Sequence, residues 1–469
     1  MPIKRLQGRV ATDSNIQGTR LSCYTKVCSG LIFPIHEFLK GHHSVALRRA
    51  LEASQWLTPA ELQRGQLPRL RDFLVAAGSN VPYYRDSFRE AGFRPHTVTS
   101  LADLQILPRL TKALIRENIE RLKSSVAGRL IRYSTGGSSG EPLVFYMGLD
   151  RITHDVAAKW RATRWWGVDI GDPEIALWGS PVELSSQDRI KVWRDKLLRS
   201  RLLPAFQMSE SQIDRYIETI QRVRPRMIFG YASAVALLAQ RAVATGQSLS
   251  NIGVKVVFLT GETLYPDQRE VIERAFGAIA ANGYGSRDAG FIAHECPRGA
   301  LHISAEHIIV ELLDESGRPV ARGQQGEIVT THLATKDFPF IRYRTGDMAI
   351  LSETPCTCGR GLPVFQEVLG RTTDFIRTPS GNTMHALALI YEVRERPGVV
   401  AFKFIQSENL SLELQLVVNA GYSQIIEDQI RRGLLARLGP GANLLIRQVR
   451  EIPPEKSGKY RYVVSRAPC

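Results

Sequence analysis

Between residues 174 and 286 the chain alternates short apolar runs with amphipathic segments, and this alternation is what most constrains the fold. The apolar runs are "EIALWGS", "RMIFGYAS", "VKVVFLTGETL" and "AIAANGYGS". Segments such as "SESQIDRYIETIQRV" and "PDQREVIERAFG" lie between them and have helical periodicity. Strands alternating with helices at this spacing are typical of a mostly parallel sheet with covered faces. The sequence therefore predicts an α/β fold.

Three of these predicted strands end in glycine followed by a polar or aromatic residue. The three ends are Gly230-Tyr231, Gly261-Glu262 and Gly283-Tyr284-Gly285. Ligands of open α/β sheets bind at the carboxyl ends of the strands, where neighbouring strand ends lie side by side. We therefore expect the three ends to form one pocket.

The remainder of the chain predicts a division into domains. From Leu301 the sequence is rich in strands, with a hairpin turn at Ser316-Gly317. After Gly370 come the predicted strands "VVAFKFIQ" and "LELQLVVN" and the predicted helix "SQIIEDQIRRGLLARLG". We predict a helical extension over residues 1–60, a large α/β domain with mixed sheets and helices over 61–372, and a small mobile α+β domain over 373–469.

Composition excludes several classes of protein. The net charge is +15 at pH 7, which suits nucleic acid, an anionic membrane or a polyanionic small molecule. The basic residues are spread along the chain and no nucleic-acid motif is found, so nucleic acid is disfavoured. Six cysteines in 469 residues do not form a disulfide framework. Without a secretory signal or a spanning segment, we expect a cytoplasmic protein; its first sixty residues form a packing arm or touch a membrane surface.

The stretch "YSTGGSSGEPL", from Tyr133 to Leu143, cannot pack a core. It is either a flexible surface loop or a loop whose backbone N–H groups and hydroxyls hold phosphates. It lacks the Gly-Lys-Ser/Thr ending of a P-loop, so a Walker-type NTPase is disfavoured. The segments "TGETL", "NGYGSRDAG", "IRYRTGD", "GRTTDFI" and "SGKYR" follow it in this order.

Together these motifs resemble the adenylate-forming superfamily, and within it the phenylacetate–CoA ligase and CapK capsule-biosynthesis group. The resemblance covers about residues 55–469 of the sequence. It implies that the glycine-rich loop holds the ATP phosphates through Thr135, Gly136, Gly137, Ser138, Ser139 and Gly140. It further implies that the adenine is framed by Gly261, Glu262, Asn282, Gly283, Tyr284 and Gly285. The chain departs from the superfamily at Gly136, where serine is common, and at Leu143, where lysine is common.

The resemblance also assigns roles to single charged residues. Asp347 would accept hydrogen bonds from the ribose hydroxyls, and Arg371 would lie near the ribose or phosphate. Asp288 matches a magnesium-linked glutamate and is one methylene shorter; the alternative is a surface ion pair with Arg287 or Arg344. These positions imply a site for ATP, AMP and Mg²⁺.

The predicted small domain contributes a hinge and a catalytic cation by the same resemblance. Asp374 matches the hinge position, where few backbone dihedrals would let the domain swing. Lys459 matches the catalytic lysine, whose ammonium would stabilise charge on the reacting carboxylate and phosphate. Lys456 is its rival, and the glycine before Lys459 favours Lys459.

Two further groups are candidates for substrate and metal. For the acyl pocket the candidates are Trp178, Tyr231 and His294, each of which could equally pack the core. Soft thiolates and imidazole suit tetrahedral Zn²⁺, and the candidate ligands are Cys296, His302, Cys356 and Cys358. The alternative is two unrelated pairs of reduced cysteines. Cys23, Cys28 and Cys469 are left as unassigned thiols.

The sequence therefore predicts an AMP-forming ligase acting on a small-molecule carboxylic acid. The acid and MgATP give an acyl-adenylate and pyrophosphate, and the acyl group then passes to coenzyme A, the leading acceptor. Transfer to an amine or hydroxyl in surface polysaccharide synthesis is the nearest alternative. A non-catalytic nucleotide-binding scaffold is the alternative of another class.

Overall fold

The chain is described here by a computed structural model. It describes residues 22–135, 143–178, 194–205, 208–371, 375–380, 383–385, 387–394, 396–453, 462–465 and 467. The helices are α1 (Cys23–Val27), α2 (Phe33–Lys40), α3 (Ser44–Ser54), α4 (Pro59–Asn80), α5 (Pro82–Glu90), α6 (Lys112–Glu117), α7 (Leu149–Arg164), α8 (Glu210–Val223), α9 (Ala232–Ala244), α10 (Pro266–Phe276), α11 (Leu387–Val393) and α12 (Gln424–Leu438). A π-helical turn, Cys28–Ile32, joins α1 to α2, and 3₁₀ turns span Pro95–Thr97 and Leu101–Ile106.

Four separate sheets contain the strands of the described residues. The strands are β1 (Ile131–Ser134), β2 (Val144–Met147), β3 (Glu174–Trp178), β4 (Ser200–Pro204), β5 (Met227–Gly230), β6 (Val256–Thr260), β7 (Ile279–Ser286), β8 (Gly290–Glu295), β9 (Leu301–Ile303), β10 (Ile308–Leu313), β11 (Gln325–His332), β12 (Tyr343–Leu351), β13 (Val364–Arg371), β14 (Phe375–Arg377), β15 (Thr383–His385), β16 (Val399–Gln406), β17 (Leu412–Val418), β18 (Leu444–Gln448) and β19 (Val463–Ser465).

Local sequence signals explain where several helices begin. Thr58 accepts a hydrogen bond from the Glu61 N–H while the Glu61 carboxylate accepts one from the Thr58 N–H, which is a capping box with Pro59 at the first helical position. Ser209 caps α8 and Thr111 caps α6 in the same way, through the hydroxyl oxygen. The cap at Ser209 begins the helix that the sequence predicts from "SESQIDRYIETIQRV".

The large domain is built on an eleven-stranded mixed sheet with the order β10-β11-β12-β13-β9-β8-β7-β6-β5-β3-β4. Strands β4, β3, β5, β6 and β7 pair in parallel, as the strand–helix alternation predicts. From β7 onward the strands are antiparallel, because the short turn Arg287–Ala289 between β7 and β8 cannot reverse the direction twice. The parallel pairing predicted for residues 174–286 is therefore confirmed for β3 to β7, and the β-rich segment after Leu301 continues the same sheet with antiparallel strands.

The predicted hairpin and the small α+β fold are both present. Strands β10 and β11 pair antiparallel around Ser316 and Gly317, and Gly317 adopts a φ of +83° that a turn glycine allows. The C-terminal sheet has the order β18-β17-β16-β19 and packs on α12. Its apolar core runs from Ile376 to Val463 and is separate from the cores of the large domain. The chain thus has a large α/β and a small α+β domain.

One arginine connects the two domains. Arg394 Nη1 lies 2.6 Å from Asp267 Oδ1 at the start of α10. Its guanidinium also lies over the rings of Tyr265 in the large domain and Tyr462 in the small domain, at 4.4 and 4.8 Å from the centroids. The Arg394 side chain is 8% exposed, so the contact is enclosed by both domains.

Candidate active site

An aromatic pair lies at the carboxyl ends of β3 and β5. The rings of Trp178 and Tyr231 stack with centroids 4.1 Å apart at 21°. Gly261, just after β6, faces them with a φ of +81°, and a Cβ atom there would lie 3.2 Å from the Tyr231 ring and 3.4 Å from Trp178. The backbone conformation favours glycine, and a Cβ atom would additionally press on both rings. The structure therefore brings three of the predicted site residues together.

A hydrogen bond links the β7 end to the "RTGD" motif on β12. The Tyr284 hydroxyl donates to Asp347 Oδ2 at 2.8 Å. Burial and the neighbouring Asp347 carboxylate raise the pKa of Tyr284 well above its usual value, so this hydroxyl keeps its proton. The Tyr284 ring packs edge-to-face on Phe365. Two residues that the sequence assigns to adenine and ribose are thus in direct contact.

Asp288 follows β7 and is buried, with 5% of its surface exposed. Its Oδ2 accepts a hydrogen bond from the Tyr343 hydroxyl and its Oδ1 accepts one from the Ala289 N–H. Burial opposes its ionisation, but the Lys112 ammonium and hydrogen bonds from neighbouring hydroxyls outweigh that cost and hold its pKa below the usual value. Asp288 is therefore not the surface carboxylate that the ion-pair alternative assumed.

The donor set around Asp288 does not fit a magnesium site of the protein itself. Both carboxylate oxygens already accept hydrogen bonds, and the positive charge of the Lys112 ammonium, which lowers the pKa of Asp288, disfavours a second cation there. Arg344, an alternative partner in the sequence analysis, is instead paired with Glu327 at 2.6 Å. Any Mg²⁺ at this site would therefore arrive with the substrate, as MgATP.

The base of the glycine-rich loop lies beside the β7–β8 turn. Thr135 N–H donates to the Leu143 carbonyl and Leu143 N–H donates to Thr135 Oγ1, both at 2.9 Å. Arg287 Nη1 donates to the Ser134 carbonyl at 3.1 Å. The base is therefore held next to the turn that carries Asp288. The remaining predicted phosphate residues, Gly136, Gly137, Ser138, Ser139 and Gly140, lie outside the described residues.

Glu262 and Asn282 each form a hydrogen bond that stabilises the local backbone. Glu262 Oε2 accepts the Ser233 N–H at 2.9 Å and so caps α9, whose N-cap Tyr231 supplies no side-chain hydrogen bond. The Asn282 N–H donates to Glu295 Oε2 at 2.8 Å. Glu262 follows the end of β6, whereas Asn282 lies within β7 opposite Leu259. Both residues therefore have a structural contact, and the role toward adenine that the resemblance implies stays a prediction.

The predicted residues of the small domain and of β13 are placed only in part. Arg371 pairs with Asp347 across β12 and β13, which puts the backbones of these two predicted residues side by side. Asp374, Lys456 and Lys459 lie outside the described residues.

His294 is not in contact with the aromatic pair. Phe229 and Phe258 lie between them: Trp178 contacts Phe229, Phe229 stacks on Phe258, and Phe258 contacts His294 at 5.9 Å between centroids. His294 is fully buried and its ring stacks on Phe291. These contacts correspond to the core-packing alternative stated for this residue.

Four candidate metal ligands converge at the other end of β8. One ligand atom from each of Cys296, His302, Cys356 and Cys358 lies within 4.8 Å of the others. Cys296 Sγ lies 3.7 Å from Cys356 Sγ, and Cys358 Sγ lies 3.2 Å from His302 Nε2. A tetrahedral Zn²⁺ with Zn–S bonds near 2.3 Å places its sulfur ligands roughly 3.8 Å apart. The donor set and spacing therefore fit zinc.

The second nitrogen of His302 supports the same fit. Its Nδ1 lies 3.3 Å from the Leu362 carbonyl, so an Nδ1–H donor there leaves the Nε2 lone pair directed at Cys358. The Sγ–Sγ separation of 3.7 Å is far longer than a disulfide bond. The alternative of two unrelated cysteine pairs does not agree with the structure, because the four side chains form one cluster.

Sequence reasoning did not identify Lys112 and Tyr343 as site residues. Lys112 opens α6 directly after its cap, Thr111, and Tyr343 lies in the "IRYRTGD" segment. The "IRYRTGD" segment is one of the motifs of the sequence analysis, so a signal for Tyr343 was present. The contact of Tyr343 with Asp288 could not be predicted, because the two residues lie 55 positions apart along the chain.

Comparison with known proteins agrees with this fold and these motifs. Residues 376–466 match the family model of the CapK C-terminal domain. The chain is 24% identical over 441 residues to protein CapK of Staphylococcus aureus, covering 93% of this chain and 95% of CapK. It is 25% identical to the phenylacetate-coenzyme A ligase of Thermus thermophilus, covering 67% of this chain and 72% of the ligase.

A solved structure of 2-hydroxyisobutyryl-CoA ligase, in the postadenylation state with an acyl-AMP, superposes with a TM-score of 0.72 at 21% identity. The match covers 88% of this chain and 91% of the ligase. The chain therefore has the fold of this ligase. The resemblance to CapK and to the phenylacetate-coenzyme A ligases that its motifs indicate is confirmed by the similarity of the sequences, and residues 376–466 of the small domain are similar to the CapK C-terminal domain.

Other states of the same ligase superpose less well. The TM-score is 0.58 for an open conformation and 0.59 for the thioesterification state. Because these structures share one sequence, the difference reflects how the domains are placed. The chain thus superposes better on the postadenylation structure of that ligase than on its other two states.

Proposed function

We propose that this protein is an AMP-forming ligase that activates a carboxylic acid with MgATP and transfers the acyl group to coenzyme A. The observation that carries the proposal is the hydrogen bond from Tyr284 to Asp347 beside the glycine strand ends. It fixes the Asp347 carboxylate, an acceptor of the kind that ribose hydroxyls need, next to a flat ring suited to a purine. The fold and the phenylacetate-CoA ligase relatives support the same reading.

In the first step the acid's oxygen attacks the α-phosphorus, the bond between the α-phosphorus and the bridging oxygen to the β-phosphate breaks, and pyrophosphate leaves. Thr135 at the loop base and the glycine-rich stretch after it would hold the departing phosphates. The aromatic pair Trp178 and Tyr231 would line the acyl pocket, with Gly261 leaving room at its edge. Negative charge grows at the phosphate oxygens, so a nearby cation lowers the barrier.

We propose Lys459 as that cation and Asp374 as the hinge of the small domain, whose boundary would follow residue 372. The separate core of the small domain and the spread of TM-scores between states of a related ligase support a domain that changes position. In the second step the thiol sulfur of coenzyme A attacks the acyl carbon, its proton is lost, and AMP leaves.

Coenzyme A is preferred as acceptor over an amine or hydroxyl. The phenylacetate-CoA ligase relatives act with it by name, and the net charge of +15 suits its phosphates. The similarity to protein CapK over 93% of the chain keeps a surface-polysaccharide acceptor as the second candidate. A non-catalytic scaffold is disfavoured because Asp347 and its partner Tyr284 are in place.

We also propose a structural Zn²⁺ held by Cys296, His302, Cys356 and Cys358. Three thiolates and one imidazole would close the coordination sphere and leave no position for substrate. The ion would fasten the β8–β9 segment to the loop before β13. Its role is therefore stability of the large domain and not catalysis.

Acid-dependent exchange of labelled pyrophosphate into ATP tests the proposal, using a panel of aromatic and aliphatic acids. We expect exchange with at least one acid and its CoA thioester by mass spectrometry. Lys459→Ala should lower exchange about 100-fold, whereas Lys456→Ala, the matched control, should lower it less than about threefold.

Three results would count against parts of the proposal. No exchange with any acid would favour the scaffold. Exchange without a CoA thioester would favour an amine or hydroxyl acceptor. Equal loss in both lysine variants would remove the specific role of Lys459.

A further inference from the structure

The helical segment Cys23–Lys40, which consists of α1, the π turn and α2, is fastened to the large domain along one face. Thr25 Oγ1 donates to Asp172 Oδ1 at 2.8 Å, and the Tyr24 hydroxyl donates to the Leu197 carbonyl at 2.7 Å. Thr25 is fully buried. The inward face of the segment is thereby fixed.

The end of the segment is fixed as well. The Glu37 carboxylate accepts the N–H groups of Ser44 and Val45 at 2.9 and 3.0 Å, and so caps the N-terminus of α3. Glu37 is 5% exposed, although it is an acid. Because the segment is held in this way at both ends, its outward face has one orientation relative to the domain.

That outward face carries an unusual number of exposed apolar side chains, here named the apolar stripe. Its members and their exposed fractions are Val27 48%, Leu31 57%, Ile35 53%, Phe38 79% and Leu39 78%. The spacings of four, four, three and one residues put them on one side of a helix. Their combined exposed surface is on the order of 500 Å², as large as the biggest apolar patch of a typical monomer.

The charges around the apolar stripe are mostly positive; the neighbouring segment also carries Asp195, which is paired with Arg194 at 2.5 Å. Lys26 and Lys40 are exposed on the same segment, and Lys196 and Arg199 are exposed on the neighbouring one. The Arg199 guanidinium lies 4.0 Å over the ring of Tyr24, which places it beside the stripe. The only acid between residues 22 and 51 is Glu37, which is buried in its capping role. The exposed surface there thus combines apolar side chains with cations.

We propose that the apolar stripe binds the surface of an anionic membrane. Its side chains would enter the boundary between headgroups and acyl chains while the flanking cations contact anionic lipid headgroups. Among the described residues, no helix has the length and apolarity to cross a bilayer. The segment therefore lies in the plane of the interface.

A second copy of the chain fits this surface less well. Symmetric pairing would bring the cations of both copies together, which is unfavourable. The area is also below the roughly 800 Å² per partner that a stable interface buries. Charge complementarity and size both favour the membrane.

Co-sedimentation of the full chain with vesicles tests the proposal. The two vesicle types are phosphatidylcholine alone and phosphatidylcholine with about one third phosphatidylglycerol, a fraction that gives a strongly negative surface. We expect binding to the anionic vesicles that weakens with added salt. The double variant Phe38→Ser, Leu39→Ser should reduce the partition coefficient by about tenfold or more.

Ile425→Ser is the matched control, because Ile425 is 69% exposed on α12 of the small domain. It should leave vesicle binding unchanged. Circular dichroism verifies that both variants are folded. Equal vesicle binding by wild type and the double variant would show that the apolar stripe is not the binding surface. If the wild type does not bind anionic vesicles, the proposal of membrane binding is wrong. A dimer in sedimentation velocity that the double variant abolishes would assign the stripe to self-association instead.

Discussion

Removal of one hydroxyl tests the geometry of the nucleotide site most directly. Tyr284→Phe deletes the donor that lies 2.8 Å from Asp347 Oδ2 and keeps the ring that packs on Phe365. A hydrogen bond to a charged group contributes about 1.5–3 kcal/mol. If that energy positions Asp347 for the ribose, kcat/KM for ATP should fall by about 10- to 150-fold.

The assay is pyrophosphate exchange at varied ATP with the acid saturating. Most of the effect should appear in KM for ATP, because the ribose contact is present in both ground and transition states. Tyr216→Phe is the control. The Tyr216 hydroxyl, on α8, donates to the Pro204 carbonyl at 2.8 Å, and removal of this hydroxyl should leave KM for ATP unchanged. The reasoning is refuted if Tyr284→Phe changes kcat/KM for ATP by less than twofold.

Two further predictions concern metal content and pH. The purified protein should contain about one zinc per chain, and Cys358→Ser should remove the zinc and lower Tm by about 5 °C or more. The control variant Cys23→Ser, at an exposed cysteine, should change neither zinc content nor Tm. A wild-type protein that is fully stable without zinc would contradict this prediction. Burial, with nearby positive groups, lowers the pKa of His307 to about 2 and that of His332 well below 6.5. The unfolded chain therefore binds more protons below pH 6.5, and the free energy of unfolding should fall as pH drops, by up to about 1.4 kcal/mol per pH unit for each histidine. Urea unfolding at several pH values measures the slope, which His307→Gln should reduce; a flat profile between neutral pH and about pH 5 would contradict the assignment.

Local sequence signals predicted much of the large domain. The caps at Thr58, Thr111 and Ser209 and the turn at Ser316-Gly317 depend on neighbours within a few residues, so the printed sequence contains them. The three glycine strand ends were also predictable, because parallel pairing aligns the ends of adjacent strands.

Contacts between distant segments were not predictable from one sequence. The pairing of Asp288 with Tyr343, and the influence of Lys112 on it, depend on how the antiparallel half of the sheet folds back. Glu262 was assigned to the nucleotide by resemblance, whereas its capping bond to Ser233 follows from the position of α9. His294 was placed in the acyl pocket although two phenylalanines lie between it and Trp178, since side-chain direction across several strands cannot be read from spacing.

The arginine that joins the domains has a mechanical consequence. Any reorientation of the C-terminal domain has to separate the Arg394 guanidinium from Asp267 and slide it off at least one of its two aromatic rings. The contact therefore acts as a latch on the arrangement with Arg394 enclosed. A latch of this kind sets a threshold for the start of domain rotation, and because the pair is enclosed, added salt should change that threshold little.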